Sequence, residues 1–210
     1  FPQALEALKY FCEDAPEYHI AVAGSLLGVA LHTGISFPVG KVQTMRLFPM
    51  DFEEFLMAMG EEQLLKLMHS HDYELMNAFH EKLKDLLRQY YYVGGMPEVV
   101  KAFVENKLLN QVRSLQNEIL SNYASDFSKH APSQEVPRID MVWQSILGQL
   151  SKENKKFVYG VLKKGGRAKE FELAIQWLVD AGLVYKITKV SKPELPLKFY
   201  EDLSERLSYH

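Results

Sequence analysis

Cysteine is almost absent from this chain: Cys12 is the only one in 210 residues. A single thiol excludes an internal disulfide and any cysteine-rich zinc site, and it fits a reducing, cytoplasmic setting. No apolar run approaches the roughly 20 residues that a membrane span requires, so no membrane partner is expected. Signal peptide and initiator Met are both lacking, and the opening at Phe1-Pro2 reads as that of a fragment. An excess of one charge is lacking too. Lys and Arg number 24 against 27 Asp and Glu, for a net charge of -3. That balance argues against a protein that coats nucleic acid, while leaving room for a local basic patch. What remains is ordinary for a globular protein, with 47% hydrophobic and 24% charged residues, enough for one large or two small cores.

The segment YHIAVAGSLLGVALHTGISFPVGKVQTMRLFPMDFEEFL, residues 18–56, is the most informative stretch. His19 to Ala23 is a short, almost wholly apolar run, the pattern of a strand buried on both faces. Lys41 to Phe48 alternates more, with Val42, Met45, Leu47 and Phe48 apolar, and predicts a second strand. The connection is too long for a hairpin and suits a crossover, hence parallel pairing. Such a strand in a P-loop protein would carry a polar sensor towards a nucleotide phosphate, but the 210 residues contain no G-x-x-x-x-G-K-[ST] loop. The nearest phrase, GISFPVGK, has one residue too many between its glycines, and Val42 stands where a magnesium-binding Ser or Thr would be.

Helical periodicity dominates the rest. Leu5, Leu8, Phe11 and Cys12 form a stripe in the first 13 residues, ended by Asp14-Ala15-Pro16. Asp51 is a plausible N-cap with Glu54 as its capping-box partner, and Phe52, Phe55, Leu56 and Met59 then share one face. A second helix carries Leu64, Leu65, Leu67 and Met68. A third runs from Leu75 through Leu87 to Gly94-Gly95, and Pro97 opens a fourth from a position that tolerates proline. Leu108 to Phe127 repeats the pattern, so residues 51–128 predict a helical bundle. Residues 129–137, KHAPSQEVP, are the best linker candidate. Beyond them, helices at 139–150, 157–162 and 168–181 precede LVYKITKV as a strand, SKPE as a turn and LPLKFY as a return strand. That is the order of a winged helix-turn-helix over 138–203, with 204–210 as a tail.

The phrases AVAGSLLGV, SFPVGKV, LFPMDFEEFL, YYVGGMPEVV, NYASDFSKHA and KFVYGVLKKGGRAKEFELAIQWLVDAGLVYKI follow one another along nearly the whole chain. In that order they resemble a large family of prokaryotic ATPases, in which an AAA-type P-loop domain precedes a helical lid, a winged helix and a nuclease-like C-terminal domain of unknown function. The resemblance implies a mainly α, α+β architecture: residues 1–50 as a remnant of the AAA-type α/β core with two parallel strands, then the lid, then the winged helix. It implies ATP and Mg²⁺ as cofactors of the parent protein, with none bound by this chain. It also implies that the N-terminal ATPase half and the nuclease-like domain are partners lost from this fragment. The exposed apolar sheet edge left behind would favour self-association.

Candidate site residues follow in that context. Ser25, at the end of the first strand, could sense the γ-phosphate or orient the attacking water, where positioning does most of the work; as a helix cap it would need no nucleotide. Lys41 occupies a place where the family often has arginine and could neutralise nucleotide charge as a point cation, against the alternative of a surface lysine at a strand start. Glu53 and Glu54 suit the helix macrodipole better than catalysis. His69 and His71, two apart, do not share a helix face, so no metal site is expected. Tyr90-Tyr91-Tyr92 could stack bases but are better explained by packing of the bundle. Lys152, Lys155, Lys156, Lys163, Lys164, Arg167 and Lys169 make the densest basic cluster. In a winged helix the third helix enters the groove by its N-terminal residues, which singles out Lys163, Lys164, Arg167 and Lys169 for DNA. Glu170, Glu172 and Asp180 make that helix partly acidic, and winged helices of AAA-type chains are commonly interdomain modules, which ranks first. The chain is therefore expected to be an ATPase fragment inactive alone, the alternative being a nucleic-acid-binding winged-helix regulator, with an interaction scaffold third.

Overall fold

The computed structural model describes residues 2–24, 40–153 and 157–208. It is mainly helical and divides into two compact units, Met45–Tyr123 and a second made of residues 1–44 with 124–210.

In the unit Met45–Tyr123 the expected helix start is present. Asp51 accepts from the Glu54 N–H at 2.9 Å, and Glu54 accepts from the Asp51 N–H at 2.9 Å, closing a capping box ahead of α2 (Phe52–Ala58). α2 is short, and burial holds it: Phe55 and Leu56 are fully buried and point into two different clusters. Phe55 joins Val93, Val99, Val100, Phe103 and Val112. Leu56 joins Leu64 and Leu86. These residues come from α3 (Glu62–Ser70), α5 (His80–Val93), α6 (Pro97–Asn106) and α7 (Leu109–His130). Pro97 sits in the first turn of α6, where its missing N–H costs nothing.

One expected helix is two. α4 (Tyr73–Ala78) stops at Phe79, whose N–H turns to Met76 O at 3.1 Å, and α5 begins with Leu83 N–H on Phe79 O at 2.9 Å. Leu75 and Phe79 are exposed rather than packed, so the apolar spacing that suggested one continuous helix has no core to enforce it there.

The second unit contains α1 (Pro2–Asp14), the end of α7, α8 (Val136–Leu150), α9 (Tyr159–Leu162), α10 (Ala168–Asp180), and strands β1 (Ile187–Val190) and β2 (Glu201–Ser208). Its centre is aromatic. Phe127, from α7, meets Trp143 and Trp177 edge-on at 5.6 and 5.5 Å. Ile139, Val142, Phe171, Ala174 and Leu178 fill the space between α8 and α10. Leu183 N–H bonds Leu178 O at 3.0 Å and Gly182 N–H bonds Val179 O at 2.9 Å, which ends α10.

Three expectations are corrected. The parallel strands expected at 19–23 and 41–48 are not formed: both segments lack regular structure. Ile20, Val22, Met45, Leu47 and Phe48 are exposed, Leu47 at 99%. A doubly apolar strand needs neighbouring strands and covering layers, and among the described residues there are none beside these two. The return strand is not LPLKFY. Residues Leu197–Tyr200 form a single 3₁₀ turn, and the strand that pairs antiparallel with β1 is Glu201–Ser208, with irregular register between Ile187↔Ser208, Thr188↔Arg206 and Val190↔Glu201. Pro193 and Pro196 supply no N–H to a ladder, so pairing begins only after them; Ser191 N–H and Oγ both donate to Tyr200 O, at 2.7 and 3.2 Å, to close the loop. Residues 204–208, expected as a tail, accordingly lie within β2.

Candidate functional site

Three places carry the polar chemistry singled out by the sequence. Ser25 lies outside the described residues, as does most of the Gly-rich segment around it. Lys41 follows Gly40 in a turn and pairs with Glu13 at the end of α1, 3.3 Å away, with both side chains partly exposed. Nothing in the sequence pattern pointed to that partner, because Glu13 stands 28 positions earlier in an unrelated helix. Pairing of that exposure is weak, and Lys41 remains within reach of solvent anions.

The second place is where the chain enters the helical unit. Met50, one residue before the capping box, is fixed on both sides. Its N–H donates to Gly95 O at 2.7 Å, and its carbonyl accepts from the Tyr90 hydroxyl at 2.9 Å. Tyr90 packs against Phe52 and Phe55 at 5.7 and 5.5 Å between ring centres. Of the three consecutive tyrosines, then, Tyr90 belongs to the core, Tyr91 is exposed, and Tyr92 lies beneath the Arg113 guanidinium at 5.2 Å. Gln116 donates to Tyr92 O and Val93 O at 2.8 and 3.0 Å, satisfying the last carbonyls of α5. Gly95 has no room for a side chain: a Cβ there would collide with the Met50 carbonyl oxygen and press on its nitrogen at 2.9 Å. The latch was invisible in sequence, since it joins segments 40 residues apart through backbone atoms.

Burial raises the Tyr90 hydroxyl above its ordinary value of 10.0, and the carboxylates of Asp51 and Glu54 and the neighbouring Tyr91 push the same way. The neutral phenol is the form the folded unit favours. A raised folded pKa contributes stability that is complete below the unfolded value and lost as pH rises through the folded one. Unfolding of the chain as pH is raised beyond about 10 is therefore expected to respond to Tyr90→Phe with a shallower alkaline loss of stability. Urea midpoints measured at neutral and alkaline pH check this; parallel alkaline slopes for the two proteins would count against it.

The third place is the basic turn. Phe157 is buried, and the Val158 N–H that starts α9 donates to the buried Gln149 Oε1 at 2.6 Å, while Gln149 Nε2 donates to Ser145 Oγ at 3.1 Å. α9 is thereby tied to α8. Gly166 N–H then bonds Lys163 O at 2.8 Å, and a Cβ on Gly166 would press on Lys163 O, Tyr159 O and the Phe171 ring at 2.9, 3.0 and 3.2 Å. This tight turn presents Lys163, Lys164, Arg167 and Lys169, all exposed, over seven positions. Lys163 reaches Glu170 at 3.5 Å. Gln176 bonds Asp180 at 2.8 Å at the far end of α10.

Other candidates resolve into local contacts. His69 Nε2 lies 3.0 Å from Glu53 Oε2, linking α3 to α2 at the surface. No group of three or more His, Cys, Asp and Glu side chains able to hold a metal occurs among the described residues. No helix among them is long and apolar enough to cross a membrane.

Two family models match the chain. Residues 1–56 match the AAA domain, which makes the N-terminal part AAA-type P-loop sequence and relates the chain to AAA-type ATPases. The chain belongs to the family described as a domain of unknown function (DUF8612), matched over residues 84–207. No curated protein and no solved structure gave a match.

Proposed function

We infer that this chain supplies the end of an AAA-type nucleotide-binding core, the helical lid that follows it and a winged helix, for an ATPase that couples hydrolysis of Mg²⁺-ATP to lid movement. The observation that carries this is the AAA-domain match over residues 1–56, which runs through the Met50 latch and ends inside α2. AAA-type sequence thus leads without a spacer into the helical unit, and Met50, held between Gly95 and Tyr90, would pass any displacement of the preceding segment to α5 and α6. On this reading Ser25 is a γ-phosphate sensor and Lys41 a secondary cation near the nucleotide. The three helices α8, α9 and α10 with the β1–β2 hairpin form the winged helix.

Phosphoryl transfer depends on a phosphate-cradling loop, its lysine and magnesium ligands, and the 210 residues contain no such loop. Phosphate release from Mg²⁺-ATP by the chain alone is therefore expected to stay at background. Joined to a polypeptide bearing a Walker A loop and the acidic Walker B pair, the same residues should support turnover, reduced about 100-fold or more by Ser25→Ala if the hydroxyl positions the attacking water. Magnesium-dependent hydrolysis that co-purifies with the 210-residue chain would sink the reading, as would full activity of the Ser25→Ala assembly.

A further inference from the structure

We propose that the basic turn between α9 and α10 is an end-on contact for the phosphate backbone of duplex DNA, which reads no base sequence. The charges of α10 are segregated along its length. Lys163, Lys164, Arg167 and Lys169 crowd its beginning, and the only acid there, Glu170, is engaged by Lys163 at 3.5 Å. Lys164, Arg167 and Lys169 have no acidic partner among the described residues. Arg167 is the N-cap of α10 and makes no side-chain capping bond, so the first N–H groups of a 13-residue helix open onto the same cations. Beyond Lys169 the exposed positions change character. Glu172 and Leu173 face solvent, Leu173 at 67% exposure, and Asp180 holds Gln176 further along.

That polarity decides the docking mode. A recognition helix laid along a major groove runs between two phosphate strands, where Glu172 and Asp180 would be repelled and Leu173 would meet no thymine methyl by design. An end-on approach keeps the acids away and brings Lys164, Arg167 and Lys169 to one strand. The charge of the surrounding sequence favours a polyanion as well: residues 157–201 contain eight Lys and Arg against five Asp and Glu, in a chain that is acidic as a whole. This surface rests on the turn and helix geometry, and it stands whether or not the chain serves an ATPase.

Three to four neutralised phosphates predict a slope of log K against log salt of about -2.7 to -3.6, and Kd on the order of 10⁻⁴ to 10⁻⁶ M at physiological salt. The test is fluorescence anisotropy of the full chain with two unrelated duplexes of roughly 20 base pairs, at about 50 mM and about 200 mM salt. Affinity is expected to fall about 40- to 150-fold between those salts and to differ less than about threefold between the duplexes. Lys164→Glu/Arg167→Glu should lose about tenfold or more and flatten the salt slope, while Lys101→Glu, an exposed reversal in the other unit, should leave binding unchanged. Lys164→Gln/Arg167→Gln, with melting curves for every variant, keeps the result readable if the reversal perturbs folding. No shift at low salt, wild-type binding by the Gln double variant, strong preference for one duplex, or binding to phosphatidylserine vesicles in place of DNA would each overturn the proposal.

Discussion

Gly95→Ala is expected to destabilise the helical unit by about 3 kcal/mol, through loss of a buried backbone hydrogen bond and the backbone shift that relieves the collision. The added methyl would sit inside the Met50 carbonyl oxygen, and since backbone lies on both sides, no side chain can turn away to make room. Either Met50 moves, breaking its 2.7 Å bond to Gly95 O and its 2.9 Å bond from Tyr90, or α6 moves off the Phe55 cluster. For a unit of this size the loss corresponds to a melting shift of roughly 12–24 °C. The neighbouring Gly94 provides the control. It has open space around its Cβ position but φ 75 and ψ -173, a conformation almost confined to glycine. Gly94→Ala should therefore cost about 1–3 kcal/mol from backbone strain alone. Thermal and urea unfolding followed by circular dichroism ranks the two. A Gly95→Ala protein no less stable than Gly94→Ala would show that the Met50 latch does not hold the unit together.

Phe127→Ala is expected to be at least as damaging in the other unit, by about 3–5 kcal/mol, the usual range for emptying an aromatic site in a core. Phe127 is 1% exposed and its ring touches both tryptophans edge-on, Trp143 on α8 and Trp177 on α10. Removing it leaves two large rings facing a void, and it also detaches the end of α7 from the helices it packs against. Because the chain has only two tryptophans, their emission reports on this cluster directly. A red-shifted, more quenchable emission in the native protein, with a lower unfolding midpoint, is the expected outcome. Unchanged emission and midpoint would mean that α8 and α10 pack without the Phe127 bridge.

Much of the helical unit was legible in the chain because its determinants are local. Asp51 with Glu54 three residues on, Pro97 at a helix start and Gly94-Gly95 at a helix end each act within a single turn, and each is where the pattern put it. The periodic apolar positions Phe55, Leu56, Leu64 and Leu86 are buried for the same reason. Periodicity failed where burial failed. Leu75 and Phe79 have the spacing of a core face but lie exposed, and the helix they suggested breaks at Phe79. The two N-terminal strands failed for a related reason: an apolar run specifies a strand only in the presence of the strands and layers that cover it. Of the expected hairpin only part of the first strand, Ile187–Val190, forms where the pattern put it; the return strand lies at Glu201–Ser208 and not at LPLKFY, because proline positions delay pairing to Glu201. Of the candidate site, the cluster Lys163, Lys164, Arg167 and Lys169 could be read directly, whereas its neutralisation at one end by Glu170 could not.

The sequence by itself determined several helix starts and stops, the exclusion of an internal disulfide by its single cysteine, and the relation of its first residues to AAA-type P-loop proteins. Only the tertiary structure decided that Met50 is clamped between Gly95 and Tyr90, that Gln149 anchors the start of α9, and that, of the cations at the start of α10, Lys163 pairs with Glu170 while Lys164, Arg167 and Lys169 have no acidic partner among the described residues. Those facts depend on backbone and side-chain atoms brought together from distant parts of the chain, and no local propensity encodes which distant segment will supply the partner.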